Sequence, residues 1–436
     1  MRKCKIIWSF FCAFVLCLLP VQPACAAQDR EDISLYATAA ALVDAETGRV
    51  LYGKNQDTPM AMASTTKIMT CIIILENLDL DEEVTVSDYA ASMPKVKLYV
   101  KCGEKYKVRN LLFSMMLESH NDSAVVLAEN LGKRYLSDEL KNKDTAEFTT
   151  EESKQAVAEF ARLMNEKAEE IGCTQTYFLT PNGLDATQTI TMEDGGTVTK
   201  EHCTTAAELA QIMSYCVLSS PMRDLFREIT AEASYSFSEN GRSFSCSNHN
   251  AFLSMMDGAF SGKTGFTNKA GYCYVGALER DGRTYVVALL ACGWPNNKSY
   301  KWSDTRELME FGLENYTYRD FEPETALADI VVENGASPDG SPYQEVSIAV
   351  EREGGVLPIH MLACDGESIE AEVECKSALM APVSAGEQVG SITYYLNEAS
   401  GDRRLLAEEK LFTGQNVEVK DLKYIMRYIG DCFLVF

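Results

Sequence analysis

The feature that most constrains the fold of this sequence is the position of two predicted β-hairpins near the two ends of its first 318 residues. In residues 37–52, apolar runs flank the turn-forming sequence Asp-Ala-Glu-Thr-Gly, and residues 272–292 repeat this arrangement around Asp-Gly. Apolar residues at helical spacing lie between and after the hairpins, in residues 65–78, 108–131, 151–171, 205–216 and 303–315. We therefore expect an α+β domain in which helices accompany an antiparallel sheet that joins the two hairpins.

The character of the chain changes after residue 318. Residues 319–418 contain short strand-like runs separated by Gly, Pro and Ser, which predicts a small all-β sandwich domain after a first domain at 27–318. Residues 419–436 are largely apolar, with Lys423 and Arg427 interspersed. This tail is too short to span a bilayer, so we expect it either to lie at a membrane surface or to pack on the small domain.

Residues 1–26 have the three parts of an export signal. Three basic residues, Arg2, Lys3 and Lys5, lie within the first five positions, residues 6–19 are apolar, and Ala24-Cys25-Ala26 precedes the predicted cleavage site. As a helix the apolar stretch is only about 21 Å long, against a hydrocarbon core of about 30 Å. A cleaved signal peptide and an exported, extracytoplasmic protein are therefore expected.

Composition excludes several classes of function. The formal net charge is −24, from 40 basic and 64 acidic residues, which disfavours nucleic-acid binding because such binding depends on clustered Lys and Arg. Fifteen cysteines are scattered at irregular spacing, and four of them belong to the leader, so they predict no disulfide framework. There is no Cys-x-x-Cys pair and no His-Glu-x-x-His motif, and the four histidines are far apart, so no metal site is predicted.

A candidate nucleophile lies at the start of the helix predicted at 65–78. Ser64 and Lys67 form an S-x-x-K motif, and this spacing places both side chains on one helical face. A serine hydroxyl needs a neighbouring base, and a lysine can serve only if its pKa falls from about 10.4 toward 7. The apolar helix behind the pair is the environment that favours such a shift.

Two further motifs follow in a fixed order along the chain: S-x-N at Ser119-His120-Asn121 and K-T-G at Lys263-Thr264-Gly265. Each could be structural by itself, as a helix cap or a strand-edge charge. Together with S-x-x-K they are the signature of penicillin-binding enzymes and serine β-lactamases. A second S-x-x-K, at 92–95, contains Pro and is interpreted as a surface segment, and 257–264 resembles a P-loop but has Asp257 in place of the first Gly.

With these motifs, residues 35–318 resemble the low-molecular-mass penicillin-binding proteins that act as serine-type D-alanyl-D-alanine carboxypeptidases. Phe-Leu-Thr-Pro-Asn-Gly-Leu at 178–184 and His-Cys-Thr-Thr at 202–205 also match, and the β domain resembles that family's C-terminal module. The resemblance implies a penicillin-binding, β-lactamase-like fold. Two stretches look longer than usual: 133–153, interpreted as an exposed loop, and 185–201.

The resemblance also implies a mechanism that needs no metal or organic cofactor. Ser64 would attack the carbonyl of the penultimate D-Ala of a peptidoglycan stem peptide, with neutral Lys67 as the base. The other site residues would act as follows: Ser119 relays the proton, Asn121 binds the substrate amide, Lys263, Thr264, Gly265 and Thr267 bind the terminal carboxylate, and the backbone N–H groups of Ser64 and Phe266 form the oxyanion hole. β-Lactams would be covalent inhibitors.

Other functions on the same fold remain open at this point. A β-lactamase would need a group that activates the deacylating water, for which Glu193 and Glu201 are only positional candidates. A transpeptidase would pass the acyl group to an amine instead of water. An inactive cell-wall binder would lack Ser64 or Lys67, and both are present.

Overall fold

The computed structural model describes residues 33–192 and 195–433. Within them, residues 33–320 together with 358–364 form one compact unit, and residues 321–357 together with 365–433 form a second. The predicted signal peptide, residues 1–26, and Glu193 lie outside the described residues. The second unit is thus interrupted by seven residues that the sequence analysis placed in the C-terminal domain.

The first unit is built around a five-stranded antiparallel sheet that joins the two predicted hairpins. Its strand order is β2-β1-β11-β10-β9. The inner pair, β1 and β11, is fully apolar over most of its length and almost entirely buried, with Leu42 opposite Val287. The strands are β1 (Ala39–Asp44), β2 (Val50–Lys54), β9 (Ala259–Thr267), β10 (Gly271–Arg280) and β11 (Arg283–Leu290).

Helices fill the region between the two hairpins in sequence, as predicted. The helix α1 is buried along nearly its whole length because its residues are apolar on all sides, and a 3₁₀ turn at Ala63–Thr66 leads into it. The helices are α1 (Lys67–Asn77), α2 (Asp88–Ala91), α3 (Val108–Leu117), α4 (Asn121–Gly132), α5 (Asp138–Asn142), α6 (Thr150–Glu170), α7 (Ala206–Ser214), α8 (Arg223–Ala231), α9 (Phe252–Met255) and α10 (Tyr300–Asn315).

Three small two-stranded antiparallel sheets lie in this unit outside the main sheet. They are β3 (Glu83–Thr85) with β4 (Lys105–Lys107), β5 (Thr187–Thr191) with β6 (Thr197–Glu201), and β7 (Ser234–Glu239) with β8 (Arg242–Ser247). The pair β5 and β6 accounts for most of the long 185–201 stretch. Its side chains are almost all exposed, so this hairpin is held by its backbone hydrogen bonds rather than by a core.

The interpretation of 133–153 as an exposed loop is wrong. The segment contains the helix α5 and two 3₁₀ turns, and Thr145, Phe148 and Ser153 are buried. A capping box between Thr149 and Glu152 starts α6 inside it. The charged residues that suggested a loop occupy the outer side of these short elements, and the few inward residues are too sparse to show a period.

The second unit consists mainly of strands, as predicted, and ends in one helix. A three-stranded sheet has the order β14-β13-β18, and a four-stranded antiparallel sheet has the order β15-β20-β19-β17. The elements are β13 (Ile330–Glu333), β14 (Val346–Ile348), β15 (Val350–Arg352), β17 (Ser368–Cys375), β18 (Ala378–Met380), β19 (Gln388–Asn397), β20 (Arg403–Thr413) and α11 (Leu422–Phe433). None of the helices in the described part of the chain has the length and apolar character needed to cross a bilayer.

The interruption of the second unit has a local cause. Strand β16 (Ile359–Ala363) pairs with β12 (Thr317–Phe321), which continues directly from α10. Arg49, in the turn between β1 and β2, donates a hydrogen bond of 2.6 Å to the carbonyl of Leu362. Residues 358–364 are therefore tied to the first unit through both backbone pairing and a buried side chain.

Candidate active site

The S-x-x-K pair meets at the start of α1. Lys67 Nζ lies 2.9 Å from Ser64 Oγ, one helical turn away, and the lysine side chain is fully buried. Ala63, immediately before the serine, has φ of 49°, a conformation that non-glycine residues adopt only where the surroundings enforce it. The buried helix α1 therefore presents the serine hydroxyl directly to the lysine amine.

Lys67 Nζ has two other close oxygen neighbours. One is the backbone carbonyl of Asn182 at 2.6 Å, and the other is Oδ1 of Asn121 at 2.9 Å. A neutral amine has two N–H donors and one lone pair. If the two N–H groups point at these two acceptors, the lone pair is left for the proton of the Ser64 hydroxyl, which is the arrangement that a general base requires.

The electrostatic surroundings favour that neutral form. Burial is the main cause that holds the pKa of Lys67 well below its ordinary value, and the positive charge of Lys263 acts in the same direction, while Asp122 opposes it. Burial also lowers the pKa of Lys263 itself, to about 7. Two cations near one another in a dry site cannot both hold their protons easily, so the site favours one ammonium and one free amine.

The S-x-N motif forms the break between α3 and α4. Ser119 has φ of 65°, and its buried Oγ has no hydrogen-bond partner within residues 33–192 and 195–433. A buried hydroxyl without a hydrogen-bond partner destabilises the folded state. Such a hydroxyl is typical of a site in which the substrate supplies the partner. Asn121 is the first residue of α4, and its Nδ2 donates to the carbonyl of Pro94 at 3.3 Å.

The second S-x-x-K copy, interpreted as a plain surface segment, thus lies at the edge of the site. Asn121 N donates to the carbonyl of Val96 at 2.8 Å. Asp122, the next residue, holds the same segment through its fully buried carboxylate. This carboxylate accepts hydrogen bonds from three successive backbone N–H groups: Leu98 at 2.8 Å, Tyr99 at 2.8 Å and Val100 at 3.3 Å. Sequence reasoning missed Asp122, although its position directly after S-x-N was the available signal.

The K-T-G residues lie in the edge strand β9, which excludes the P-loop interpretation because no phosphate-binding turn or following helix is present there. Gly265 approaches the start of α1 so closely that a Cβ at this position would stand 2.9 Å from the backbone nitrogen of Ser64. Only glycine fits this approach. The strand that carries Lys263, Thr264 and Phe266 is therefore placed beside the nucleophile.

Thr267, at the end of β9, already has two partners. Its hydroxyl donates to Oδ1 of Asp185 at 3.1 Å and accepts from the backbone N–H of Ala270 at 3.0 Å. A hydroxyl has one proton, so in this arrangement Thr267 cannot also donate to a substrate carboxylate. Lys263 and Thr264 remain the donors on this strand.

A loop at 180–184 completes the site, and the sequence analysis gave it no role. Its Gly183 has φ of 85° and packs directly against Ala63. A Cβ at this position would stand only 2.0 Å from the carbonyl oxygen of Ala63. This close approach brings the Asn182 carbonyl to Lys67. The signal was available in the Pro-Asn-Gly sequence, but the loop is distant from α1 along the chain.

His202 connects this loop to the start of α1. Its Nδ1 accepts from the backbone N–H of Leu179 at 2.9 Å, which fixes the neutral tautomer with the proton on Nε2. Nε2 then donates to Thr66 Oγ1 at 2.8 Å, and Thr66 Oγ1 donates to the carbonyl of Ala63 at 2.8 Å. Burial lowers the pKa of His202 to about 4, so the tautomer persists at neutral pH.

No group of three or more His, Cys, Asp or Glu side chains arranged to hold a metal ion occurs among the described residues. The groups that the site brings together are a hydroxyl, an amine and amides. These are the groups that acyl transfer requires.

Comparison with protein families identifies two regions. Residues 25–134 and 150–291 match the D-alanyl-D-alanine carboxypeptidase family, and residues 361–419 match the C-terminal domain of penicillin-binding protein 5. The D-alanyl-D-alanine carboxypeptidase DacF of Bacillus subtilis is 25% identical over 405 residues, covering 91% of this chain and 90% of the relative. A D-alanyl-D-alanine carboxypeptidase of Mycobacterium tuberculosis is 32% identical over 274 residues, covering 62% and 80%.

Solved structures agree with these matches. Penicillin-binding protein D2 from Listeria monocytogenes, in its cefotaxime-bound form, aligns with a TM-score of 0.50 and 28% identity over 65% of this chain and 99% of that chain. The carboxypeptidase DacD from Francisella tularensis aligns with a TM-score of 0.59 and 23% identity over 89% and 95%, and so shares the fold. On this evidence the chain belongs to the D-alanyl-D-alanine carboxypeptidase family.

Proposed function

We propose that this protein removes the terminal D-Ala from peptidoglycan stem peptides ending in D-Ala-D-Ala, through an acyl-enzyme on Ser64. The observation that carries the proposal is the set of three contacts made by Lys67 Nζ. Two of its neighbours can only accept hydrogen bonds from the amine, and the third is the serine hydroxyl at 2.9 Å. A serine held in this way is an activated nucleophile.

In the acylation step, Ser64 Oγ forms a bond to the carbonyl carbon of the penultimate D-Ala while its proton moves to Lys67 Nζ. The C–N bond to the terminal D-Ala then breaks, and the leaving amine takes a proton through Ser119, whose Oγ has no other partner among the described residues. Backbone N–H groups of Ser64 and Phe266 stabilise the oxyanion. Water subsequently cleaves the ester and restores the serine.

The substrate is bound from two sides of the site, by Asn121 on one side and by strand β9 on the other. Asn121 binds the substrate amide on the acyl side, because its side chain lies between Lys67 and the 94–96 segment. Lys263 and Thr264 bind the terminal carboxylate on the β9 side, with Gly265 keeping that strand close to Ser64. We assign Thr267 no contact with the carboxylate in this arrangement, because the proton of its hydroxyl is engaged by Asp185.

β-Lactams should acylate the same serine, since their ring amide is attacked in the same way and the leaving amine stays tethered. For β-lactamase activity, the candidate Glu201 has little support because it forms an exposed ion pair with Lys269 at 2.7 Å. The other candidate, Glu193, lies outside the described residues. Slow deacylation of penicillin is therefore the outcome that we expect.

The decisive experiment measures D-Ala release from diacyl-L-Lys-D-Ala-D-Ala together with covalent attachment of labelled penicillin. The wild type should do both, and Ser64→Ala should do neither. Ser92→Ala provides a matched control, because it removes the serine of the other S-x-x-K copy, whose hydroxyl only donates to the carbonyl of Tyr89. Release of D-Ala by Ser64→Ala would contradict the proposal, and rapid penicillin turnover without D-Ala release would identify a β-lactamase.

We also propose that the protein works outside the cytoplasmic membrane, with α11 at the membrane surface. No residue of α11 is buried, and Lys423 and Arg427 supply positive charge. Its exposed apolar side chains share one face: Leu422 (76% exposed), Met426 (61%), Ile429 (41%) and Phe433 (77%). Such an exposed apolar face suits insertion into the interface of a lipid bilayer.

Vesicle flotation tests this second proposal. The full chain should float with phosphatidylglycerol vesicles, and Met426→Ser/Ile429→Ser should reduce the floating fraction. Cys432→Ser, outside the apolar face, serves as the control and should float like the wild type. Equal flotation of all three proteins would show that the apolar face does not bind lipid. N-terminal sequencing of the exported protein would test cleavage after Ala26.

A further inference from the structure

A short segment beside the S-x-N motif is unusual for a chain of net charge −24. Between residues 95 and 101, three lysines occur within seven positions, at Lys95, Lys97 and Lys101. The apolar residues Leu98 and Val100 alternate with them and are buried, whereas Lys95, Tyr99 and Lys101 are exposed and Lys97 is half-buried. We call this set of Lys95, Lys97, Tyr99 and Lys101 the basic rim.

The backbone of the basic rim is held rigidly to the catalytic centre. Asp122 accepts from the backbone N–H groups of Leu98, Tyr99 and Val100 in this segment, and the carbonyl of Val96 accepts from Asn121 N. Since Asn121 also contacts Lys67, only one residue separates the catalytic amine from this segment. The position of the lysines is therefore set by the active site itself.

Tyr99 indicates that this arrangement is maintained at some cost. Its φ is 65°, which disfavours a bulky residue, and 54% of its side chain is exposed, so core packing does not compensate. Arg242 Nη1 donates to its carbonyl at 2.9 Å, while Asp122 accepts from its N–H. Lys97 Nζ lies 5.4 Å from the centroid of the Tyr99 ring, a cation–π contact that limits the freedom of this lysine.

The charges of the basic rim are not neutralised within the described part of the protein. No ion pair there involves Lys95, Lys97 or Lys101, whereas Lys107, a few residues further along, is paired with Asp81 at 3.2 Å. Lys97 Nζ donates only to a backbone carbonyl, that of Ala91, at 3.2 Å. Three positive charges are thus available to a ligand.

The rim lies on the acyl side of the proposed reaction. In the proposed function, the terminal carboxylate binds at Lys263 on β9, so the rest of the stem peptide leaves the site past Asn121. That path leads to the 94–97 segment, which contacts Asn121 directly. Stem peptides carry carboxylates upstream of D-Ala-D-Ala: the α-carboxylate of the γ-linked glutamate, when it is not amidated, and in some walls a carboxylate on the diamino acid.

We propose that the basic rim is a subsite for these upstream carboxylates, so that the enzyme prefers stem peptides with free acid groups to the same peptides with carboxamides. The proposal rests on the proposed function and names its substrate class. Exposed charge pairs contribute modestly, so the expected preference is roughly five-fold, expressed in KM and weakened by salt.

The test compares two peptides that end in D-Ala-D-Ala and differ only in a glutamate α-carboxylate or α-carboxamide. D-Ala release gives kcat/KM for each peptide, at low and at high salt. The acid-to-amide ratio should be roughly five in the wild type and should fall toward one in Lys95→Gln/Lys97→Gln. The control Lys141→Gln/Lys410→Gln removes the same charge at exposed lysines elsewhere and should keep the wild-type ratio.

Each outcome is informative. A wild-type ratio of one, a preference for the amide, or a ratio unchanged in Lys95→Gln/Lys97→Gln would overturn the subsite, while D-Ala release from both peptides would leave the proposed function intact. Failure of the wild type to release D-Ala from either peptide would instead contradict the proposed function. The rate of penicillin attachment confirms that each variant is folded.

Discussion

The two lysines of the site have opposite requirements. Lys67 must be neutral to accept a proton, whereas Lys263 must be charged to bind a carboxylate. Burial depresses the pKa of both, and that of Lys263 falls to about 7. The positive charge of Lys263 further lowers the pKa of Lys67, so a charged Lys263 helps to keep the Lys67 amine neutral.

This arrangement predicts that kcat/KM and kcat fall at different pH values on the alkaline side. In the free enzyme, Lys263 loses its proton as pH rises through about 7, so kcat/KM should fall there. In the complex, the substrate carboxylate stabilises the ammonium and raises its pKa, so the fall in kcat should come at higher pH. Rates of D-Ala release between about pH 5 and pH 10 check this. Lys263→Arg, which stays charged, should move the limit of kcat/KM upward, and coincident limits would contradict the assignment.

His202 offers a second test at the level of single residues. It connects the 180–184 loop with Thr66 and, through it, with the Ala63 carbonyl beside Ser64. Because a small displacement of a nucleophile is costly, His202→Ala should slow acylation by penicillin roughly 100-fold. Thr66→Val should cause a smaller loss.

The double variant distinguishes a positioning role from general damage. If His202 acts on Ser64 through Thr66, adding Thr66→Val to His202→Ala should cost nothing further, since the link is already broken. His202→Gln, whose amide can still donate toward Thr66, should recover part of the rate. Additive losses, measured as second-order acylation rates, would show that the two residues act independently.

At the scale of elements, a buried acid joins α4 to the start of α2. Glu129 of α4 is fully buried, and the Ser87 hydroxyl donates to its carboxylate at 2.7 Å while also capping α2. Desolvation raises the pKa of Glu129 from 4.5 to about 7. The folded state therefore holds a proton that the unfolded state has released above about pH 5.

The sign of the effect follows from proton linkage. Between about pH 4.5 and pH 7 the native state binds more protons than the unfolded state, so the free energy of unfolding should fall as pH rises. In the wild type, the free energy of unfolding should fall by about 3 kcal/mol once the pH has risen past the pKa of the buried acid. Glu129→Gln has no such proton to lose, so its stability should not show this fall. Denaturant unfolding should show the variant gaining stability relative to the wild type from pH 5 to pH 8. A constant difference across this range would contradict the raised pKa.

Elements with a local signal were predictable, and those set by distant contacts were not. The hairpins at 37–52 and 272–292 and the helix α1 were confirmed, because turn residues and apolar periodicity identify them within a short window. The motifs also indicated Ser64 and Lys67. By contrast, the Asn182 carbonyl contacts Lys67 although the two residues are 115 positions apart in the sequence. No local sequence pattern near either residue predicts that contact.

At the scale of the whole molecule, the cysteines distinguish the two units. Among the cysteines that the structure describes, the seven buried thiols all lie in the first unit: Cys71, Cys173, Cys216, Cys246, Cys273, Cys292 and Cys364. The two described cysteines of the second unit, Cys375 and Cys432, are exposed. Burial raises the pKa of several of the buried thiols, that of Cys173 to about 12, so they are doubly protected from alkylation.

Cys364 makes this contrast a test of how the chain is divided. It lies at the end of the 358–364 segment, which is far from the rest of the first unit in sequence but paired with it through β12. If that segment folds as part of the first unit, Cys364 should stay protected from iodoacetamide over the same denaturant range as Cys71. Mass spectrometry of labelled peptides measures both residues in one sample, with Cys375 as the exposed reference. Labelling of Cys364 while Cys71 remains protected would place the segment with the second unit, because its protection would then depend on a structure that unfolds separately.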